Sequence, residues 1–486
     1  MGSVLAIITG ILLALPFQFP KLSFLAWISL IPLLYGLEDK SKKNSFYLGW
    51  IMGFFFLTIS SRWILYPIIN FSGYSLFVCS IIFFIVFLLF SLYFGLFTLI
   101  LKILEEKFNC YFLLLVPITW TGIEYFRTIF SFQYLFNFLA YSQSFIPQLI
   151  QLAQYGGLYL ISFIIVLINT VIYQGLKKGK MKHLITAFII IVILFGYGQY
   201  KINQQKLKNK SISVGIIQPN ISQHEKLNAK YRQKNIDKII NLSNQLLTDQ
   251  QPDLLIWPET AILRSYNQNY KFPYQLTDKT PLFIGGYINQ NDKIFNSALL
   301  VTRQRDIINN YKKIKLLPFG EYVPFPNLIP DIIKNNLSDL TPGNKIKSFE
   351  LNNLSWNSPI CSEILNPFFV RRLYQQTDFM INISNEAWFK RSKAPLQILQ
   401  AVIFRAVEHQ VPIVKVGNTG ISGIVNYNGK VITRTKIFQP TALTVKLNIP
   451  TRKETLYYQV GDFFGISNLL IIVILLFFSL YKFNFK

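Results

Sequence analysis

Charge is scarce in this chain. Asp, Glu, Lys and Arg make up 15% of its 486 residues, where a soluble globular domain carries roughly a quarter, so an ordinary soluble globule is excluded. Acidic residues are the scarcer kind, 23 against 48 basic ones, for a formal net charge of +25. Cysteine occurs only as Cys79, Cys110 and Cys361. The first two fall inside or beside apolar runs, so no disulfide framework can be built. Histidine is limited to His183, His224 and His409. They give no metal-ligand cluster, so neither a metal nor another cofactor is expected, and the search for a catalytic base turns to carboxylates. No basic stripe with interleaved aromatics and no nucleic-acid motif is present, so the positive charge does not read as a nucleic-acid footprint. No repeat of fixed period appears either.

Apolar sequence is plentiful. Hydrophobic residues make up 51% of the chain and aromatics 16%, and mean hydropathy is +0.35. Runs approaching or reaching spanning length, about twenty residues, cover 4–17, 22–37, 46–69, 76–104, 111–130, 158–176, 184–197 and 466–481. No Lys or Arg precedes the first run and no small-residue cleavage pattern follows it, so it reads as a retained span rather than a signal peptide. Basic residues follow every second run: Lys40, Lys42 and Lys43; Lys102 and Lys107; Lys177, Lys178, Lys180 and Lys182; Lys482 and Lys486. The alternate loops are poor in them. Basic loops stay cytoplasmic, so the pattern predicts seven spans over 1–200, an external domain over 201–460, and an eighth span with a cytoplasmic tail over 461–486.

The external segment has a different texture. Short β-branched runs at 213–217, 254–257, 282–286, 298–301, 379–383 and 412–416 alternate with helical patterns at 233–248 and 396–408. Strands alternating with helices in one long stretch predict an α/β sandwich.

Its one cysteine lies in Ser358-Pro359-Ile360-Cys361-Ser362-Glu363. A thiol becomes a good nucleophile only as thiolate, which needs a base and a nearby positive charge. Upstream are Trp257-Pro258-Glu259 and the block from Lys313 through Leu317-Pro318-Phe319-Gly320-Glu321, so a carboxylate, a lysine and a thiol follow in that order. Taken singly, each has a plainer reading: a small core residue, a solvated loop carboxylate, one lysine of the cluster with Lys312 and Lys315. Two further features stand out. Trp120, Glu124 and Arg127 share one helical face within an apolar run, where charges pair or serve a site. After the cysteine, Ile364 to Val370 is apolar and leads into Arg371 and Arg372. That pattern suits either a loop dipping into lipid or core packing by Phe368 and Phe369.

The Trp257-Pro258-Glu259, Lys313 to Glu321 and Cys361-Ser362-Glu363 blocks resemble the three signature blocks of the nitrilase, or carbon–nitrogen hydrolase, superfamily. With seven runs before and one after, the whole chain resembles the apolipoprotein N-acyltransferase family, inner-membrane enzymes that complete bacterial lipoprotein maturation. Secondary matches are Gln218-Pro219-Asn220, Asn385-Glu386-Ala387-Trp388-Phe389, Arg405-Ala406-Val407-Glu408 and Asn418-Thr419-Gly420.

The resemblance implies a polytopic α-helical membrane domain of about eight spans, plus an exoplasmic, nitrilase-like αββα sandwich in the periplasm. It implies that Cys361 takes an acyl chain from a phospholipid as a thioester and passes it to the N-terminal amine of a diacylated apolipoprotein. Glu259 would be the base, Lys313 the oxyanion partner, Glu321 the residue orienting that pair, and Glu363 a tuner of the pocket. Glu124, Arg127, Trp388, Phe368 and Phe369 would touch substrate lipid. Ser362, Leu227 and Ile398 depart from residues common in the family, at positions that bear on lipid and lipoprotein preference rather than on the Glu–Lys–Cys set. The rival readings are a membrane-tethered amidase or nitrilase acting on small compounds, and a transporter with an external receptor domain.

Overall fold

The computed structural model describes every residue except 130–133, 205–206, 264, 267–270, 278–279, 325–326, 328–338, 452–453 and 481–486. Lys482 and Lys486 thus lie outside the described residues. The chain divides into two compact units. One comprises Met1–Ile69, Tyr74–Gln204 and Thr455–Lys486, the other Asn70–Gly73 and Gln205–Glu454.

The first unit is helical. Among the described residues, three helical stretches are long and apolar enough to cross a membrane: Leu76–Ile129, Ala153–Lys178 and Met181–Asn203. A fourth qualifies if Lys42–Ser60 and Arg62–Asn70, bent by 61°, form one broken span. Gly2–Gln18, Pro20–Gly36 and Phe463–Ser479 are apolar but shorter. The run at 22–37 is no single helix. A 3-10 turn spans Pro20–Trp27 and a short α-helix Ile31–Gly36, each opening on or next to a proline, which lacks the N–H that would continue a preceding helix. Leu76–Ile129 is itself interrupted at Asn109–Tyr111.

Contacts fix the directions within this unit. Gly10 lies against Met52 and Phe55, and Gln18 Nε2 donates to the Ile59 and Ser60 carbonyls, so Gly2–Gln18 runs parallel to Lys42–Ser60. Gly36 returns beside Gly2. Thr98 Oγ1 donates to the Ser45 carbonyl at 2.7 Å, and Trp50 Nε1 to that of Leu88 at 2.8 Å, which sets Leu76–Phe90 and Leu92–Phe108 antiparallel to Lys42–Ser60. Phe97 packs on Trp120 and Tyr93 on Phe126, turning Phe112–Ile129 back again. Tyr125 meets Tyr159 and Phe112 meets Tyr173; Gly175 meets His183 and Tyr155 meets Tyr197; Gly465 meets Tyr125 and Gly122 meets Ile472. Successive apolar segments therefore alternate in direction from Gly2–Gln18 to Phe463–Leu480. The charged ends gather on one side of the unit: Lys42 pairs with Glu106 at 2.8 Å, Lys177 with Glu38 at 3.2 Å, and Lys107 Nζ donates to the Phe478 carbonyl.

The second unit is a sandwich of two sheets. The first orders β13 (Thr441–Pro450), β1 (Leu207–Gln218), β2 (Leu254–Ile256), β4 (Leu282–Gln290), β5 (Lys293–Val301) and β6 (Ile307–Lys312), with β3 (Ser265–Tyr266) paired on β4. The second orders β12 (Val431–Arg434), β11 (Gly423–Val425), β10 (Ile413–Gly417), β9 (Phe379–Ser384), β8 (Leu354–Asn357) and β7 (Phe349–Leu351). The two-residue pleat sorts side chains between layers. Val214, Ile216, Ile256, Phe283, Ala298 and Leu300 point into the layer between the sheets, with Trp356, Phe379, Ile381 and Val414. Their alternates Ile217, Leu255, Ile284, Leu299 and Val301 form an outer layer with Ile236, Ile239 and Leu246 of helix Arg232–Asp249. Helix Ala394–His409, buried along almost its whole length, belongs to the second sheet's side of the sandwich. The architecture is αββα, and the chemistry-bearing blocks all lie at strand ends.

Candidate active site

Glu259 follows β2. The strand ends at Ile256; Trp257 N donates to the Phe283 carbonyl at 2.8 Å, and Trp257 Nε1 to Ser243 Oγ at 3.0 Å. The chain then turns sharply through Thr260, at φ +44°. Gly285 makes the turn possible, because a Cβ there would stand 2.5 Å from the Glu259 Cα.

Lys313 follows β6, its N–H donating to the Asn296 carbonyl at 2.8 Å. Of the lysines in this stretch, Lys312 lies over the Phe295 ring and Lys315 is exposed, whereas Lys313 is 1% exposed. Its Nζ is 2.6 Å from Glu321 Oε2 and 3.7 Å from Glu259 Oε1. Asn296 Nδ2 donates to both carboxylates, 2.7 Å to Glu259 Oε1 and 2.7 Å to Glu321 Oε1. The Leu317 N–H adds a bond to Glu321 Oε2 at 2.8 Å. Asn296 was not singled out from sequence; the only signal was a polar residue opening the apolar half of β5.

Cys361 is partly exposed and sits on an elbow after β8, in the left-handed region at φ +50°. Such a conformation costs a non-glycine residue about 1 kcal/mol or more, so its neighbours must hold it. Ser358 Oγ donates to the Ile381 carbonyl at 2.7 Å, and Asn382 Nδ2 to the carbonyls of Pro359 at 2.7 Å and Cys361 at 3.3 Å. Glu363 carries most of the restraint. Its Oε2 accepts from Ile360 N, and its Oε1 from Tyr311 OH, Ile314 N and Lys315 N, all between 2.8 and 3.0 Å. One carboxylate thus fastens the backbone beside Lys313 to the backbone before Cys361.

The electrostatics divide the labour. Burial raises the Glu259 carboxyl above its ordinary pKa; the Lys313 charge opposes this and Glu321 reinforces it, leaving a carboxylate more basic than usual. Burial works against the charge of Lys313, but Glu321 and Glu259 outweigh it and hold the amine well above its ordinary value. Burial also pushes the Cys361 thiol up, with Glu259 adding to the effect and Lys313 countering it. Burial raises Glu363 to about 7 against the Lys313 charge and its N–H donors. A thiol disfavoured as a free anion, beside a basic carboxylate and a fixed ammonium, is suited to losing its proton only as it attacks a carbonyl. Among the described residues no three His, Cys, Asp or Glu side chains gather to hold a metal ion.

The other expected site residues are more dispersed. Trp388 is half-buried on the 3-10 turn Glu386–Phe389 after β9. The stretch 364–372 is no open loop: its core is helix Pro367–Leu373, with Phe369 3% exposed in the layer between the sheets and Phe368 52% exposed. Only Phe368 is therefore presented at the surface, with Arg372 near its ring. In the helical unit Glu124 and Arg127 do not pair with each other. Glu124 Oε1 accepts from Leu139 N at 2.8 Å, while Arg127 Nη2 donates to the Phe136 carbonyl at 3.2 Å and its guanidinium lies 4.2 Å from the Phe138 ring centroid. Both hold the 136–139 segment, and both are buried.

A two-sheet αββα unit with a Glu–Lys–Cys constellation at its strand ends, attached to an apolar helical unit, defines a membrane-associated enzyme of the carbon–nitrogen hydrolase class. The family model for the carbon-nitrogen hydrolases matches residues 213–457, and that for the apolipoprotein N-acyltransferase N-terminal domain matches residues 9–171. The apolipoprotein N-acyltransferase of Aquifex aeolicus is 30% identical over 437 residues, covering 88% of this chain and 94% of its own. That of Geobacter metallireducens is 28% identical over 482 residues, covering 95% and 92%. Among solved structures, the yeast nitrilase-superfamily member Nit3 superposes with a TM-score of 0.38 at 18% identity, over 50% of this chain and 92% of that one. The chain belongs to the apolipoprotein N-acyltransferase family.

Proposed function

We propose that this acyltransferase moves an acyl chain from a phospholipid to the N-terminal amine of a diacylglyceryl-cysteine apolipoprotein, through a thioester on Cys361. In the first half-reaction Glu259 takes the thiol proton, the sulfur attacks the ester carbonyl, and the oxyanion forms beside Lys313 Nζ. Collapse breaks the ester C–O bond, and Glu259 returns the proton to the departing lysophospholipid alcohol. In the second, the acceptor amine attacks the thioester carbonyl, Glu259 takes the amine proton, the C–S bond breaks, and the thiol is restored. Splitting the transfer lets one site serve two lipid substrates in turn. The observation that carries this reading is the buried Glu259–Asn296–Glu321–Lys313 cluster, whose charges all bear on the elbow cysteine.

The membrane arrangement belongs to the same proposal. Eight passes are supported by the alternating directions of the apolar segments. The basic ends collected on one side of the helical unit support a cytoplasmic reading of that side, and with it our proposal that 201–460 is a periplasmic domain at a bacterial inner membrane. The decisive experiment on function is complementation. Cells depending on Cys361→Ser should accumulate diacylated lipoproteins with a free N-terminal amine, since a hydroxyl is a far poorer nucleophile with this base; normal N-acylation in that strain would overturn the assignment.

A further inference from the structure

Lys226 lies outside the Glu–Lys–Cys set, yet it is 9% exposed and points into the same site. Its Nζ donates to the Glu259 carbonyl oxygen at 3.2 Å and to Thr260 Oγ1 at 2.7 Å. Among the described residues no carboxylate oxygen lies within 4.0 Å of it; its two partners are neutral. A buried ammonium held only by neutral oxygens is costly, so burial works against its charge, and anionic Glu259 and Cys361 are the groups that favour it. The mount is rigid. Helix Gln223–Leu227 opens on a capping box between Ser222 and Glu225, Gln223 Oε1 accepts from Asn385 Nδ2 at 3.1 Å, and Asn220 N donates to the Asn418 carbonyl at 2.9 Å. Burial lowers the Lys226 amine to about 7, while the charges of Glu259 and Cys361 oppose that shift. Those bearing on Cys361 are Glu259, Glu386, Glu321 and the cation Lys313.

We propose that Lys226 is a positioning residue for acyl transfer: it clamps the strained Glu259–Thr260 backbone that carries the base, and its charge makes the Cys361 thiolate easier to form. The inference rests on Cys361 being the nucleophile. It gives the site a second cation, and it gives the left-handed Thr260 a restraint that Gly285 alone does not supply.

The test compares full-length native protein, Lys226→Met and Lys226→Arg in detergent. Alkylation of Cys361 by iodoacetamide is followed from pH 6 to pH 9 by mass spectrometry of the Cys361 peptide, and thioester formation is followed with dipalmitoyl phosphatidylethanolamine in mixed micelles. Lys226→Met should move the alkylation profile to higher pH, slow alkylation at neutral pH about tenfold, the equivalent of one pKa unit, and slow thioester formation at least as much. Lys226→Arg should return the alkylation profile to near native, because the charge is kept. A Lys226→Met profile that overlays the native one overturns the proposal. If Lys226→Met does not fold, Lys226→Arg decides alone: a profile displaced despite the retained charge overturns it. Should alkylated Cys361 still support transfer, the nucleophile assignment fails instead, while the effect of Lys226 on the thiol is still measured.

Discussion

Glu259 and Lys313 share a buried cluster but not equally. Lys313 is bonded closely to Glu321 and sits farther from Glu259, and burial leaves Glu259 more basic than an ordinary carboxylate. In the proposed mechanism Glu259 must be ionised to accept the thiol proton. Thioester formation should therefore fall off on the acid side at a pH above the usual carboxylate range, and a limb near pH 4 in a rate profile would contradict the assignment. Tyr311→Phe tests the Glu363 tether separately. It removes one donor to a buried carboxylate, which should cost roughly 1–3 kcal/mol in thermal unfolding and slow thioester formation; unchanged stability would show that the three backbone donors suffice. Glu259, Lys313 and Cys361 were legible because each stands in a recognisable block. Asn296 and Lys226 were not, because a polar residue in a strand and a lysine in a charged stretch are common, and only the fold shows that both reach the same carboxylate residue.

At the scale of elements, the turn after β2 depends on β4. Gly285→Ala places a methyl group 2.5 Å from the Glu259 Cα, so the turn must move. A displacement near 1 Å at a catalytic group costs on the order of 10²-fold in rate. We expect a loss of that size in single-turnover thioester formation with the sheet still folded by circular dichroism; native rates would mean that the turn yields without moving the carboxylate. Helix Pro367–Leu373 gives a second case. Phe369 belongs to the core and Phe368 to the surface, so Phe368→Asp should weaken lipid engagement and leave stability nearly unchanged, whereas Phe369→Asp should unfold the domain. Equal thermal stability of the two variants would contradict this division. The strands at 213–217, 254–257, 282–286 and 379–383 were readable as apolar β-branched runs. β6, β12 and the two-residue β3 were not, being polar or very short, and their pairing is dictated by neighbours rather than by their own pattern. The 22–37 run read as one span because hydropathy counts residues, while Pro20 and Pro32 decide the helix geometry.

For the whole molecule, the alternating directions of the apolar segments and the gathering of Lys42, Lys107 and Lys177 on one side bear on orientation. Single cysteines placed at Lys180 and at Gln250, in a background lacking the native ones, should differ in sealed cells. Position 250 should react with a membrane-impermeant maleimide and position 180 only after lysis; the reverse pattern would invert the topology. The central claim is that one cysteine carries the acyl group between two lipid substrates. The most direct measurement is intact-protein mass spectrometry after incubation with a phospholipid of defined chains, followed by a chase with a synthetic diacylated lipopeptide. The account predicts a mass increase of one acyl group, mapped to Cys361, that is lost on the chase as triacylated peptide appears in equal amount. Peptide acylation with no acyl group ever found on Cys361, or an acyl group on Cys361 that the peptide does not remove, would contradict it.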